Sequence, residues 1–263
     1  MNRPVRVSAV SFLNARPLVV GLDADPALFT LDTDLPSVCA ARLHAGDVDL
    51  GLIPAIEYTR GDYALVPGVA IGSDGPILSV AIFTTTAMPR VRRLALDTSS
   101  RTSVALAHVL CAKLWGVAPE TVPAAPDLDA MLGMADAALI IGDPALDVDP
   151  LPAGVEKVDL GEAWRTLTGL PFVYAAWAGR PNALGADHVA ALQAARDRGL
   201  ASLDTLAAEA AGGEAARGTV LASYLRHYLR YAFGPREQAG LERFFALAAE
   251  VGHIPGARPL RFY

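Results

Sequence analysis

The sequence predicts an α/β fold of two lobes that are joined by two strand crossings and followed by a helical C-terminal segment. Short apolar runs alternate with helical patterns over the first two thirds of the chain, which is typical of parallel sheets covered by helices. From about residue 187 the composition changes to alanine-rich helical patterns that break at glycine or proline. A chain of 263 residues is long enough for two such lobes.

The first elements are a strand, a helix and a second strand. Residues 5–10 alternate in the manner of a strand, and residues 36–45 form a helical pattern that begins with a proline and ends before Gly46. Residues 48–53 form a short apolar run, as expected for a buried strand. Two strands connected through a helix usually pair in parallel, so this unit predicts a parallel sheet.

Four further strand patterns predict the second lobe and the two crossings. After a turn-rich stretch, they cover residues 77–85, 93–97, 136–142 and 171–179. A helical pattern from Thr102 to Gly116 follows the second of them. The first pattern is long enough to cross between the lobes near residues 83–88, and the last provides the return crossing near residues 172–178.

The C-terminal segment predicts three helices, over residues 187–211, 215–233 and 236–251. Its aromatic residues Tyr224, Tyr228 and Tyr231 recur at helical spacing, which favours core packing over a ligand-binding role. We expect this segment to return to the first lobe.

The predicted lobes are therefore discontinuous in sequence. The first comprises residues 1–86 and 179–263, and the second comprises residues 87–178. Ligands of such proteins bind in the cleft, where strand ends and helix N-termini of both lobes converge.

Composition and charge exclude several classes of protein. Hydrophobic residues make up 52% of the chain and charged residues 19%, which excludes intrinsic disorder. The net charge of −6 disfavours nucleic acid as a partner, because binding it requires a basic face. All but two of the 22 basic residues are arginines, which suit carboxylate recognition, although a GC-rich genome would produce the same bias.

The cysteines and the N-terminal segment predict a cytoplasmic protein. Cys39 and Cys111 lie in apolar helical patterns without CxxC spacing, so buried thiols in a reducing compartment are expected. The first residues enter a strand pattern directly and do not resemble a signal peptide. No apolar run approaches the length of a membrane span, so no membrane association is expected.

Residues 11–18 follow the first predicted strand and carry the first candidate site residues. Ser11, Asn14 and Arg16 would lie at the carboxyl end of that strand, where the cleft is expected. Asn14 offers a donor and an acceptor, and Arg16 offers a forked cation. The alternative is a turn whose asparagine caps the next helix.

Residues 96–103 place hydroxyl groups and one arginine where a strand ends and a helix begins. The candidate binding residues are Ser99, Ser100, Arg101, Thr102 and Ser103. Free backbone amides and the helix dipole make this an anion site, although N-capping would explain one or two of the hydroxyls. The chain has no GxxxxGK[ST] pattern, so a carboxylate is a better candidate ligand than a nucleotide phosphate.

Two further candidates follow or occupy predicted strands. Ser79 lies on the first crossing strand and could project into the cleft, or be an ordinary polar neighbour. Asp143 follows a buried strand, where it could orient a ligand or cap the next helical turn. No HExxH, GxSxG or GxGxxG pattern occurs and the five histidines are scattered, so we expect neither a metal nor a cofactor.

Five segments stand in order along the whole chain: SFLNARPL at 11–18, GLIPAIEY at 51–58, SDGPILSV at 73–80, LDTSSRTS at 96–103 and IGDPAL at 141–146. Together they resemble the chorismate dehydratase family of the futalosine route to menaquinone. The combination is specific, although no single segment is. The resemblance implies the two-lobed, type II fold of periplasmic solute-binding proteins, adapted as an intracellular enzyme that removes water from the dianion chorismate.

The resemblance also suggests roles for the candidate residues. The 1,4-dihydroxy-6-naphthoate synthases share this fold but carry a histidine where this chain has Gly142 and Asp143, which favours the dehydratase. Asn14 would then act in catalysis, and Arg16 or Arg101 would pair with a substrate carboxylate. Glu57 and Asp143 are the available protein bases, and the enolpyruvyl carboxylate of the substrate is a third candidate. A non-catalytic receptor for small anions remains the alternative class.

Overall fold

A computed structural model describes residues 3–148 and 150–263. The strands in this part of the chain are β1 Val5–Val10, β2 Phe29–Asp34, β3 Leu50–Pro54, β4 Ala64–Ser73, β5 Val80–Thr84, β6 Arg93–Asp97, β7 Glu120–Ala124, β8 Ala137–Ile141, β9 Glu156–Asp159 and β10 Phe172–Gly179. The α-helices are α1 Pro36–Ala45, α2 Arg101–Lys113, α3 Leu128–Met134, α4 Asp143–Leu146, α5 Leu160–Thr168, α6 Ala186–Ala201, α7 Leu203–Ala210, α8 Ala215–Ser223 and α9 Pro235–Glu250. Three 3-10 helices span Leu13–Leu18, Ala55–Arg60 and Met88–Arg90, and a π-helix spans Tyr224–Tyr228.

The strands form two five-stranded mixed sheets, in the orders β2-β1-β3-β10-β4 and β7-β6-β8-β5-β9. In the first sheet β1 is parallel to β2 and β3, and β10 is antiparallel to both of its neighbours. In the second sheet β6 is parallel to β7 and β8, and β5 is antiparallel to β8 and β9. We call the sheets with the elements packed on them the first lobe and the second lobe.

The chain passes between the sheets earlier than predicted at both crossings. It leaves the first sheet after β4 and enters the second at β5, and it returns between α5 and β10. The whole of β5 therefore belongs to the second sheet and the whole of β10 to the first. The division by sheets thus differs from the predicted boundaries, 1–86 with 179–263 and 87–178. An apolar run identifies a buried strand, but the partner of that strand depends on residues far away in sequence.

Strong local signals placed several elements correctly. The observed α1 has the predicted bounds, with Pro36 in its first turn and Gly46 in the left-handed conformation, at φ 82°, as its C-cap. The observed β6 also matches its predicted range. The predicted C-terminal helices are interrupted: the first divides at Ser202, and the second ends in the π-helix Tyr224–Tyr228.

The strands that the sequence did not predict are the edge strands of the two sheets. They are β2, β4, β7 and β9. In β2, β7 and β9 most side chains are at least partly exposed, so their hydrophobic patterns are weak. The strand β4 runs through Pro67 and Gly68, which gave the segment its turn-rich composition.

The two lobes share a continuous apolar core. Trp164 of α5 packs edge-on against Phe172 of β10, with 5.1 Å between the ring centroids, and against Phe244 of α9 at 6.0 Å. A smaller apolar cluster around Phe83 and Met131 covers the other face of the second sheet. Among the described residues, no helix is both long enough and apolar enough to cross a bilayer.

Candidate active site

A cavity between the lobes collects side chains from the ends of β1, β3, β6 and β8. The cavity is small, with a volume of about 40 Å³. The walls are Val10, Phe12, Asn14, Pro36, Pro54, Ile71, Ile77, Ser79, Val80, Ser100, Ser103, Ile141, Gly142, Tyr174 and Ala175. Hydrogen bonds between the lobes, from Leu13 to Asp143 and from Ser37 to Ser99, hold the two sides of the cavity together.

The structure brings four of the predicted site residues to this cavity: Asn14, Ser79, Ser100 and Ser103. The other six are not among its walls: Ser11, Arg16, Ser99, Arg101, Thr102 and Asp143. The site therefore contains a hydroxyl group from each of three serines, the amide of Asn14 and the phenol of Tyr174. Its remaining surface is apolar.

Asn14 lies in the first turn of the 3-10 helix that follows β1. The backbone amide of the preceding Leu13 donates to Asp143 of the second lobe, with 3.2 Å between nitrogen and Oδ1. The buried Oδ1 of Asn14 has no hydrogen-bond partner among the described residues. A buried polar atom without a partner is costly in an unliganded protein, which is consistent with a ligand group meeting it.

Ser79 is placed by a strained turn. Its backbone amide donates to the Ile77 carbonyl at 2.8 Å, and the intervening Leu78 has a φ of 65°. This combination defines a γ-turn of the rare type, which is strained for a leucine. The carboxylate of Asp159, at the start of α5, accepts from the amides of Ile77 and Leu78 at 3.0 and 2.7 Å.

The first turn of α2 faces the cavity with Ser100 and Ser103. The Ser103 hydroxyl donates to Ser100 Oγ at 3.2 Å. Ser100 occupies the N-cap position without capping the helix through its side chain. Free amides and the dipole at such a helix end attract an anion. The anion site stays a prediction, and two of its five predicted side chains reach the cavity.

Buried Asp97 holds this segment in place. One carboxylate oxygen accepts from the Ser99 amide at 2.9 Å and the other from the Ile141 amide at 3.3 Å. The ends of β6 and β8 are thereby fixed relative to each other. Ser99 Oγ is buried without a partner among the described residues, while the Ser99 carbonyl accepts from the Ser37 amide of the first lobe at 3.0 Å.

Arg101 and Thr102 connect the lobes instead of lining the cavity. Arg101 Nη1 lies 2.8 Å from Glu57 Oε2, and Thr102 Oγ1 accepts from the Ile56 amide at 3.1 Å. Glu57 is almost fully buried and also contacts His44 Nε2 at 2.7 Å. Glu57 thus engages one nitrogen of the Arg101 guanidinium, and the pairing of Arg101 with a ligand carboxylate stays a prediction.

Asp143 and Arg16 lie next to the cavity without forming its walls. Burial raises the pKa of the Asp143 carboxyl, while the Leu13 amide and the charge of Arg16 act in the opposite direction. Arg16 is half-buried and forms no ion pair with any residue that the structure describes. Ser11 is exposed, and its backbone amide donates to the Asp34 carbonyl of β2.

The sequence analysis missed Phe12 and Tyr174 at the site, and it assigned Tyr224, which contacts the cavity wall at Ser79, to the core alone. The Phe12 ring covers Gly142, which has a φ of 71°, and a Cβ at that position would lie 2.8 Å from the ring. The Tyr174 hydroxyl lies 3.2 Å from Ser73 Oγ, and the Tyr224 hydroxyl donates to Ser79 Oγ at 2.7 Å. No local pattern distinguishes these residues from ordinary core aromatics, since only the tertiary fold places them at the cavity.

The cavity offers neutral hydrogen-bond donors in an apolar surrounding. In the part of the chain that the structure describes, its walls include no carboxylate, histidine or lysine. The same residues contain no group of three His, Cys, Asp or Glu side chains that could hold a metal ion. Such a site can bind and orient an anion and stabilise negative charge that develops on it.

Comparisons with known proteins identify a matching family and a similar curated protein. A family model described as "Menaquinone biosynthesis" matches residues 5–250. A curated chorismate dehydratase of Thermus thermophilus is 34% identical over 235 residues, which are 80% of this chain and 83% of the relative.

Solved structures with low sequence identity share the fold. A protein of Archaeoglobus fulgidus has a TM-score of 0.75 at 16% identity, covering 95% of this chain and 98% of its own. A Candida albicans protein described as having the generic periplasmic binding protein fold has a TM-score of 0.65 at 9% identity, covering 98% and 92%. A periplasmic sulfonate-binding protein of Methylobacillus flagellatus has a TM-score of 0.61 at 12% identity, covering 97% and 89%. The two-lobed periplasmic-binding-protein-like fold is thus confirmed.

Proposed function

The chain belongs to the menaquinone biosynthesis family, and from this premise we propose that it is a chorismate dehydratase. This hydro-lyase would convert chorismate into 3-[(1-carboxyvinyl)oxy]benzoate. The observation that carries the proposal is a cavity of neutral donors at the N-terminus of α2, in a chain similar to a curated dehydratase. Such a cavity suits a small dianion and needs no excess of positive charge over the whole chain.

The reaction needs positioning more than chemical activation. A base removes the C3 proton of chorismate, the C4–O bond breaks, and the electron pair forms the C3=C4 bond that makes the ring aromatic. The C4 hydroxyl takes up a proton and leaves as water. During C3 deprotonation, negative charge spreads onto the ring carboxylate, so donors held against that carboxylate lower the barrier.

We assign the ring carboxylate to the first turn of α2. Ser100 and Ser103 line the cavity there. Asn14 projects from the other lobe with an unpartnered amide oxygen, which suits it to accept a hydrogen bond from the leaving C4 hydroxyl. Closure of the lobes around the substrate would exclude water from the developing anion.

The base is proposed to be the enolpyruvyl carboxylate of the substrate itself. Glu57 is engaged by His44 and Arg101, and Asp143 accepts from Leu13, and neither is among the cavity walls. A chorismate analogue without the enolpyruvyl carboxylate tests this step. We expect the protein to bind the analogue without turning it over, whereas turnover at a near-normal rate would exclude the substrate as base.

Incubation with chorismate followed by mass spectrometry tests the function as a whole. A product lighter by 18 Da identifies the dehydratase, and the same protein unfolded by heat is the control. Bound but unchanged chorismate would indicate a receptor, as the solute-binding relatives suggest. If the protein neither binds nor converts chorismate, the result would favour the naphthoate synthase activity.

The cytoplasm is the proposed location. Cys39 and Cys111 are free and buried, and burial raises their thiol pKa values to about 11 and about 12. Such thiols remain protonated and unreactive in a reducing compartment.

A further inference from the structure

Tyr224 connects the C-terminal segment to the cavity. It begins the π-helix Tyr224–Tyr228, immediately after α8, and only 2% of its surface is exposed. Its hydroxyl donates to Ser79 Oγ at 2.7 Å, across 145 residues of sequence. Isolated π-helical turns are rare and occur frequently at functional sites.

The hydrogen bond from Tyr224 determines whether the Ser79 hydroxyl donates or accepts in its other hydrogen bonds. A serine hydroxyl has one hydrogen to donate and lone pairs to accept. Because the phenol hydrogen occupies a lone pair of Ser79 Oγ, the hydrogen of Ser79 is available for a different acceptor. No such acceptor is bonded to Ser79 Oγ among the described residues, and Ser79 is a wall of the cavity.

The phenol remains a donor over the whole useful pH range. Burial raises the pKa of Tyr224, and the charge of Asp143 acts in the same direction. Its hydrogen bonds with Ser79 and Asn14 lower the pKa, but burial dominates. Tyr224 thus lies beside two of the polar side chains of the cavity, Ser79 and Asn14.

We propose that Tyr224 is a positioning residue that turns the Ser79 hydrogen into the cavity, where Ser79 donates it to a carboxylate oxygen of the substrate. This inference rests on the proposed function for the identity of that substrate. The tyrosine itself does not touch the substrate and acts through Ser79. It makes the C-terminal segment part of the catalytic unit.

Tyr224→Phe removes only the phenol oxygen and tests the proposal. We expect kcat/KM for chorismate to fall about tenfold or more, with the midpoint of thermal unfolding within about 3 °C of wild type. The matched control is Tyr231→Phe, because Tyr231 is equally buried in the same segment and its hydroxyl has no partner among the described residues. That control should retain wild-type kinetics.

A double-mutant cycle with Ser79→Ala separates positioning from general packing. If Tyr224 acts through Ser79, then Tyr224→Phe lowers kcat/KM less than about twofold in the Ser79→Ala background. Equal losses in both backgrounds, or wild-type kinetics for Tyr224→Phe, would overturn the proposal. If Tyr224→Phe fails to fold, Ser79→Ala tests the same bond from its other end, and wild-type kinetics for that variant would overturn the proposal too.

Binding of isophthalate, a stable aromatic dianion, distinguishes this inference from the proposed function. If the wild-type protein leaves chorismate unchanged, the dehydratase proposal fails. The role of Tyr224 in orienting Ser79 toward a carboxylate can still be measured with isophthalate. We expect the Kd for isophthalate to rise at least threefold in Tyr224→Phe and to stay unchanged in Tyr231→Phe. A wild-type protein that neither converts chorismate nor binds isophthalate would contradict both proposals.

Discussion

The polar groups that meet in the interlobe cavity are neutral, and this property has consequences for each residue. Ser79, Ser100, Ser103 and Asn14 can donate or accept a hydrogen bond without a counter-ion. Two arginines were expected to neutralise the substrate, but neither Arg16 nor Arg101 is a wall of the closed cavity. The proposed binding therefore depends on hydroxyl donors and the N-terminus of α2.

Asn14→Ala should preserve the fold and lower kcat by at least about tenfold, which corresponds to about 1.4 kcal/mol of barrier. The reason is the loss of an amide whose oxygen has no partner in the protein and is free to meet the substrate. Steady-state kinetics with chorismate measures this effect. Asn182→Ala, at an exposed position of the first lobe, is the control and should leave kcat unchanged. Equal kcat values for both variants would remove Asn14 from the site.

At the scale of elements, one carboxylate joins the γ-turn to a helix. Asp159 accepts from Gly161 and Glu162 in the first turn of α5, and also from Ile77 and Leu78 in the turn before β5. The turn is strained at Leu78, so its geometry depends on these bonds. The helix cap and the segment that presents Ser79 are therefore one unit.

Asp159→Ala should lower the free energy of unfolding by about 2 kcal/mol or more, because a cap and the two bonds to the γ-turn are lost together. Asp127→Ala is the matched control: Asp127 caps α3 with a single bond to the Ala130 amide. That control should lose about 1 kcal/mol. Urea denaturation measures both values, and equal losses would mean that the turn does not need Asp159.

At the scale of the whole molecule, contacts between the lobes maintain the closed cavity. The pair formed by Arg101 and Glu57 is one of them, and the bonds from Leu13 to Asp143 and from Ser37 to Ser99 are others. A ligand that binds the closed form has a lower apparent affinity when that form is less populated.

Arg101→Met should therefore raise the KM for chorismate about fivefold, since a partly exposed ion pair contributes about 1 kcal/mol to closure. Small-angle scattering should show a larger radius of gyration for the ligand-free variant than for wild type. The control is Arg226→Met, which removes an ion pair with Asp204 inside the first lobe. An unchanged KM and radius for Arg101→Met would show that this pair does not favour closure.

His108 of α2 makes the stability of the molecule dependent on pH. It is half-buried, its ring lies 5.3 Å from that of His253, and burial lowers its pKa. The unfolded chain then binds more protons below the ordinary histidine pKa of about 6.5, so this contribution to stability is present above that pH and is lost on acidification. Urea denaturation at pH 7.5 and 5.5 should show a smaller decrease in stability for His108→Gln than for wild type. Equal decreases would show that His108 does not contribute.

The sequence by itself determined the fold class and several element bounds, and it predicted an anion site at the first turn of α2. These follow from local causes: apolar periodicity, a proline that begins α1 and Gly46 that ends it, and hydroxyl groups at a helix start. The family resemblance was confirmed by the comparisons. The candidate site residues lie close to the cleft because the ends of the strands converge there.

Only the tertiary structure decided which of these residues face the cavity and which connect the lobes. Arg101 and Ser103 share the first turn of one helix, yet one pairs with Glu57 and the other lines the site. Tyr224 approaches Ser79 across 145 residues of sequence. Such placements depend on how distant elements pack and on the closure of two lobes, and no local pattern encodes either.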